Sequence, residues 1–428
     1  HTMSLNRTRN FKFDWITIIL FLLLVGFGWL NIVSASSSGE ITSYFDMSQR
    51  YGKQLVFIIF TFVLIILILS IEAKFYERFA SIIYLASILS LIGLFVLGKN
   101  INGATSWYAI GGFTLQPSEF AKFATALAVA KYISDLQTNI KNIKDQLKAA
   151  IIIFVPAFLI LLQNDAGSTI VYAAFFFVFY REGIPQIYLL LLLRIILLSV
   201  SALKFSLLPT TIIVSVLVFT HHFFLKKKKG NILQPIFISL LCIAFSFGVH
   251  LFYNNILQPH QQDRISLWLR LEKDPEKLEQ MKRTILYNLN ESEKAISSGG
   301  ITGKGFMEGT RTIGKFVPEQ DTDYIFSTVG EEWGFLGSSF VVILFVLLFI
   351  RILHLAELQK SQFSRIYGYS VASILFLHFL INIGMVMGLI PTVGIPLPFF
   401  SYGGSSLWGF TILLFVFVKL DSNRINEW

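Results

Sequence analysis

Apolar residues in this chain come in long runs separated by short polar connections. Crossing roughly 30 Å of hydrocarbon takes about 20 apolar residues in a helix. Runs of that order lie near 15–34, 54–72, 79–98, 118–134, 185–203, 208–225, 232–254, 325–350, 366–388 and 404–420. Two shorter runs, 149–163 and 167–180, flank the polar break Asn164-Asp165-Ala166. The pattern predicts an all-α, polytopic integral membrane protein of about 12 transmembrane helices, the short pair forming a hairpin.

The basic residues give an orientation. With the N-terminus inside, the inner connections hold Arg7, Arg9 and Lys12, then Lys74 and Arg78, then Lys131, Lys141, Lys144 and Lys148. Arg181, the run Lys226–Lys229, Arg351, Lys360, Arg365, Lys419 and Arg424 fall on the same side. The short outer connections hold only Arg50, Lys53, Lys99 and Lys204, a strong positive-inside bias. Lys148 and Arg181 flank the short pair, which favours the hairpin. Lys226–Lys229 reads as a cytoplasmic anchor, with binding of anionic membrane lipid as a variant. The chain then divides into a cytoplasmic N-terminus (1–14), nine crossings (15–254), one large extracytoplasmic loop (255–322), and three crossings with a cytoplasmic C-terminus (323–428).

Composition agrees. The 428 residues are 54% hydrophobic and 14% charged, with 43 Phe and a mean hydropathy of +0.65. Soluble domains are about 25% charged, and disordered, collagen-like and disulfide-scaffold chains are excluded. A net charge of +9 would point to nucleic acid if it sat on one face. It is spread over inner connections instead, so no nucleic-acid partner is expected. The lone Cys242 reads as a packing residue. His1-Thr2-Met3 reads as a tag remnant before a native start at Met3, with no cleavable signal peptide expected.

Ionisable groups inside spans are costly and usually face a cavity or a partner. Glu119 and Lys122, three apart, share one helix face, and Pro117 starts that helix. Asp165 is expected to line a recess at the break of the short hairpin. Glu331 and Glu332 stand in the tenth span, and Arg194 can snorkel. The blander reading is that these groups satisfy one another and fix helix packing. Two function classes fit: a secondary transporter, or an enzyme acting on a lipid-linked substrate at the outer surface. The long outer loop favours the enzyme.

In that loop, Ile265 to Leu271 is apolar and can lie on the membrane. Asp274 before Pro275 is a helix N-cap signature. That role competes with use as a base, because a capping carboxylate accepts hydrogen bonds that lower its pKa. Ser297 to Gly305 is glycine-rich but fails the Walker pattern: Gly299 is one place too close to Lys304, and Gly305 replaces the metal-binding Ser or Thr. It reads as a turn that approaches a ligand backbone-first. Pro318 to Asp323 holds Glu319, Asp321 and Asp323, either a divalent-cation site (Mg or Mn) or a solvated helix start. The histidines show no metal-ligand spacing.

Several motifs occur in order between about 100 and 405. They are Asn102-Gly103-Ala104-Thr105-Ser106-Trp107; Gln116-Pro117-Ser118-Glu119 through Lys122; and Gln163 to Ser168. Gly299 to Phe306, Pro318 to Phe326 and Gly330 to Phe335 follow, then Pro396-Leu397-Pro398-Phe399-Phe400-Ser401-Tyr402-Gly403-Gly404-Ser405. In these motifs the chain resembles the SEDS (shape, elongation, division and sporulation) family, and its cell-shape members in particular. The resemblance implies a peptidoglycan glycosyltransferase of the bacterial inner membrane. Such an enzyme joins lipid II units into glycan strands, releases a polyprenyl diphosphate, and works with a class B penicillin-binding protein, a transpeptidase.

The family's catalytic Asp before Pro maps onto Asp274. The expected reaction inverts an α-linked donor to a β product, with Asp274 as general base and Lys122, alone or with a divalent cation, offsetting charge on the leaving diphosphate. Trp107, Glu119, Asp165, Lys304, Glu319, Thr322, Asp323, Ser401, Gly403 and Gly404 are the expected substrate contacts. A lipid II flippase or transporter using the same cavity is the alternative, and a scaffold that only recruits a transpeptidase is a third. Three features depart from the family. Its usual ten spans are exceeded by an extra pair within about 185–254. The Gly-x-Gly-Tyr-Gln after the catalytic Asp is missing. Asp321 stands where His is usual.

Overall fold

The computed structural model describes residues 12–426 apart from 38, 40, 42, 102, 221–231 and 285. The expected start at Met3, Arg7, Arg9, Asn102 and the Lys226–Lys229 anchor lie outside the described residues. The chain forms two compact units, one of residues 1–184, 291–389 and 393–428, the other of 185–290 and 390–392.

The first unit opens with α1 (Trp15–Ser36), α2 (Arg50–Ser70), α3 (Ala73–Arg78) and α4 (Ala80–Leu97). Strands β1 (Lys99–Ile101), β2 (Ala104–Ile110) and β3 (Phe113–Leu115) follow, then α5 (Pro117–Ile133), α6 (Ile143–Leu162), α7 (Ala166–Ile170) and α8 (Ala174–Arg181). The second unit holds α9 (Ile187–Phe205), α10 (Leu207–Thr220) and α11 (Leu233–Asn255), which pack on one another, followed by α12 (Pro259–Trp268) and α13 (Pro275–Thr284). Helix α14 (Tyr287–Ser298) starts there and re-enters the first unit at Glu291. The first unit closes with α15 (Thr310–Ile313), α16 (Ile325–Glu357), α17 (Gln362–Val386) and α18 (Gly404–Asn423). Within it α16 lies against α1 and α17, α18 against α2 and α5, and α17 against α5 and α8.

Among the described residues nine helical segments are long and apolar enough to cross a membrane. With the shorter α5, 166–181 and α10, the described part of each apolar run is helical. The chain is an all-α, multi-pass membrane protein. Apolar side chains of α2, α4 and α6 point outward, as expected where lipid is the solvent, while α17 and α18 are enclosed.

Three local expectations change. Only one arm of the 149–180 hairpin is short. The amphipathic stretch from Ile143 extends α6 to 20 residues, enough to span, and the other arm breaks into α7, a 3-10 turn and α8. Pro156 inside α6 has no N–H for the Ile152 carbonyl, and the Tyr84 hydroxyl donates to that carbonyl at 2.8 Å. The connection before Gln116 is an antiparallel three-stranded meander rather than a loop. Finally, the glycine-rich turn after Ser298 does approach backbone-first, but its partner is α16.

That contact follows from a break in α16 at Gly334, where φ is 62°. A helix break strands carbonyls before it and N–H groups after it. The turn takes both sets. Lys304 N–H donates to Glu331 O at 3.0 Å and Gly305 N–H to Glu332 O at 2.9 Å. In return Phe335 and Leu336 N–H donate to Gly300 and Ile301 O at 2.9 and 3.1 Å. The backbones are so close that a Cβ on Gly303 would stand 2.2 Å from Glu332 O, and one on Gly334 2.3 Å from Gly303 N.

A buried carboxylate completes the joint. Glu331 is fully enclosed and accepts from Lys304 Nζ (2.7 Å), Arg311 N–H (3.0 Å), Thr312 N–H (2.8 Å) and Thr312 Oγ1 (2.7 Å). Its neighbour Glu332 accepts from the Ser34 hydroxyl on α1. An alanine at 303 must therefore displace backbone. Gly303→Ala should lower stability by at least about 1–3 kcal/mol, whereas Gly26→Ala, whose Cβ meets open space, should be neutral. Thermal unfolding of the two purified variants in detergent checks this. Equal melting would refute the close approach.

Candidate active site

Helix α5 begins at a polar junction. Gln116, its N-cap, donates its backbone N–H to Ser405 Oγ at 3.0 Å and its Nε2 to Asp165 Oδ2 at 3.1 Å. Asp165 in turn caps α7 by accepting the Ser168 N–H at 3.0 Å. One turn further in, Lys122 Nζ meets Glu119 Oε2 at 2.7 Å, both side chains 2% exposed. The predicted i,i+3 pair is present and sealed inside the bundle.

Lys122 has two more neighbours. His378 Nε2 of α17 is 2.9 Å from Nζ, and the ammonium lies 4.7 Å from the Phe410 ring centroid. A lysine ammonium carries three donors, and this one faces a carboxylate, a ring nitrogen and an aromatic face. On the other side of the imidazole, Nδ1 lies 3.2 Å from Pro396 O. A carbonyl only accepts, so Nδ1 carries the hydrogen and Nε2 presents its lone pair to Lys122.

Pro396 opens the turn that leads into α18. Ser401 Oγ accepts the Leu397 N–H at 2.9 Å and donates to Thr322 O at 2.7 Å. Tyr402 N–H donates to Asp321 O at 2.8 Å, Gly403 N–H to Gln54 Oε1 at 3.1 Å, and Gly404 lies against the Phe57 ring. Asn382 ties the same two segments by donating to Asp323 O and Ile395 O, both at 2.8 Å. Ser401, Thr322 and Asp323 are thus joined through backbone groups.

The acidic segment is organised around Arg50 at the start of α2. Its guanidinium meets Asp321 at 2.7 Å and Glu319 at 3.5 Å, and stacks 5.5 Å from the Tyr402 ring centroid. Thr322 Oγ1 donates to Glu319 Oε2 at 3.1 Å. Burial pushes the Asp321 carboxyl above its usual range, and Arg50 offsets part of that shift. Asp323 Oδ2 instead faces Gly394. The three carboxylates therefore do not converge as the cation-site reading requires. Among the described residues no three His, Cys, Asp or Glu side chains come together to hold a metal.

Lys304 is engaged with Glu331 and with Thr310 Oγ1, at 2.7 and 2.9 Å. Trp107 is half-buried on β2, paired with Lys99 across the ladder. Asp274 belongs to the second unit and starts α13, its exposed Oδ1 accepting the Glu276 N–H at 3.1 Å and its backbone carbonyl the Leu278 N–H at 2.9 Å. The N-cap expected from Asp-Pro is formed.

Sequence reasoning missed His378 and Arg50. A histidine inside the apolar run 366–388 is itself an intramembrane ionisable group, so a signal was present. Arg50 carried none beyond its place in a connection.

The geometry can be set beside known proteins. Residues 14–426 match the FtsW/RodA/SpoVE family of cell cycle proteins. The peptidoglycan glycosyltransferase RodA of Treponema pallidum is 32% identical over 96% of this chain and 98% of its own. Peptidoglycan glycosyltransferase MrdB of Escherichia coli K12 is 29% identical over 91% of this chain and 88% of its own. A solved structure described as structural coordination of polymerization and crosslinking by a peptidoglycan synthase complex superposes with a TM-score of 0.67. Its sequence identity is 23%, over 97% of this chain and 99% of that one. The rod shape determining protein RodA of Thermus thermophilus gives 0.61 at 22% identity, over 97% and 98%. Shared along essentially its whole length, these features make the chain a member of the FtsW/RodA/SpoVE family.

Proposed function

We infer that the chain is a peptidoglycan glycosyltransferase that polymerises lipid II for cell elongation and shape. The end-to-end likeness to relatives whose names carry that activity supports the reading most. The distribution of Lys and Arg supports placement in the bacterial plasma membrane with the 255–322 segment outside. A class B penicillin-binding protein is the proposed partner, in keeping with the polymerisation and crosslinking joined in the similar complex.

The chemistry proposed is a displacement at the anomeric carbon of the donor sugar. The acceptor's 4-hydroxyl oxygen forms the new bond, the bond to the diphosphate oxygen breaks, and inversion makes a covalent enzyme intermediate unnecessary. Asp274 takes the hydroxyl proton. Its exposure at the start of α13 leaves the carboxylate accessible to a sugar hydroxyl. Lys122 offsets the negative charge of the departing polyprenyl diphosphate, a role that requires it to exchange one of its present partners.

Asp274→Asn keeps an acceptor for the Glu276 N–H and removes the base. Polymer formation from lipid II in detergent should fall on the order of 100-fold or more, with thermal unfolding and transpeptidase binding unchanged. Normal polymerisation by that variant would remove the assignment. A transporter of the same lipid would form no polymer in detergent. The carboxylates at 319, 321 and 323 do not fit a divalent cation, and no step is assigned to one. Chelation should accordingly leave the melting temperature of the protein unchanged, and a fall of several degrees that Mg2+ reverses would reinstate a protein-held ion.

A further inference from the structure

Four buried groups from three helices meet at one point: Glu119 and Lys122 of α5, His378 of α17, and the Phe410 ring of α18. His378 is fully enclosed, and its ring lies edge-on to Phe410 with centroids 4.7 Å apart. We propose that His378 is a positioning residue for Lys122, fixing the ammonium in place from the turn at Pro396. The proposal rests on the glycosyltransferase reading for its catalytic consequence and on geometry alone for the contact itself.

The argument is one of donors and acceptors. Pro396 O can only accept, which fixes the tautomer with hydrogen on Nδ1 and a lone pair on Nε2. That lone pair takes a second donor of an ammonium whose first is held by Glu119. A lysine tied to Glu119 alone swings on four rotatable carbons, and two acceptors on different helices remove that freedom. The imidazole also passes the constraint outward. Pro396 begins the turn whose Ser401 holds Thr322 O and whose Tyr402 holds Asp321 O. The buried cation and the Arg50–Asp321 cluster are thereby joined through one histidine, as supporting partners orient a functional group in other sites.

Glutamine is the informative replacement, because its amide offers one donor for Pro396 O and one acceptor for Lys122. Phenylalanine keeps the ring and offers neither. In lipid II polymerisation by the full chain, His378→Phe should lower kcat on the order of 100-fold, the cost of a misplaced group, with KM little changed. His378→Gln should restore most of that loss. Equal rates for the parent and the Phe variant overturn the proposal. So does a folded Gln variant as slow as the Phe variant, since packing alone would then explain both. Should the Phe variant fail to fold, the Gln variant still decides.

A second measurement is independent of turnover. With 15N-labelled histidine, the His378 signals, identified by their loss in His378→Gln, should show Nδ1 protonated and Nε2 unprotonated, and Lys122→Met should shift Nε2. A protonated Nε2, or an Nε2 signal indifferent to Lys122→Met, refutes the contact whether or not the protein polymerises lipid II. A parent that makes no polymer while keeping these signals fails the functional reading and leaves the contact standing.

Discussion

A charge enclosed in an apolar bundle has to be met by partners from the protein itself, since the surrounding hydrocarbon offers none. Three places in the first unit illustrate the rule. Glu331 is met by a lysine, two backbone amides and a hydroxyl, Lys122 by a carboxylate, an imidazole and an aromatic face. The Ile152 carbonyl orphaned by Pro156 is met by Tyr84. Breaking a buried pair by removing one member costs more than the pair contributes when whole. Each of these contacts therefore specifies one arrangement of helices more than it adds stability.

The result is a graded connection from the interior to the polar end of the bundle. Lys122 is linked through His378 to the turn at Pro396, and that turn is sewn by backbone hydrogen bonds to residues 321–323. Arg50 then collects the carboxylates of 319 and 321. Asp321 sits beside a guanidinium that compensates its negative charge. The charge of the acidic segment is thus balanced in part within the segment's own contacts.

Much of this was legible in the sequence. Among the described residues the twelve apolar runs are helical, the i,i+3 spacing gave the Glu119–Lys122 pair, and Asp-Pro gave the start of α13. Short-range patterns carry such information because periodicity and capping act within a turn or two. Partners distant in sequence were not legible. His378 lies 256 residues from Lys122, and Arg50 lies 271 from Asp321. The glycine-rich turn approaches backbone-first, but toward a helix where its sequence suggests a ligand. No local signal could say that it approaches a helix, because the break at Gly334 that creates the receptor is itself visible only as one glycine among many.

The paired exchange around Gly334 has a consequence for how the extended segment can vary. From Gly300 to Gly305 and from Glu331 to Leu336 the chain is held in register, amide against carbonyl, on both sides of the break. Adding or deleting one residue in either stretch would slide every pairing and break four backbone hydrogen bonds. A change of length upstream, between the capped start of α13 and Glu291, would leave these pairings in register, so that stretch is the better place for an engineered insertion.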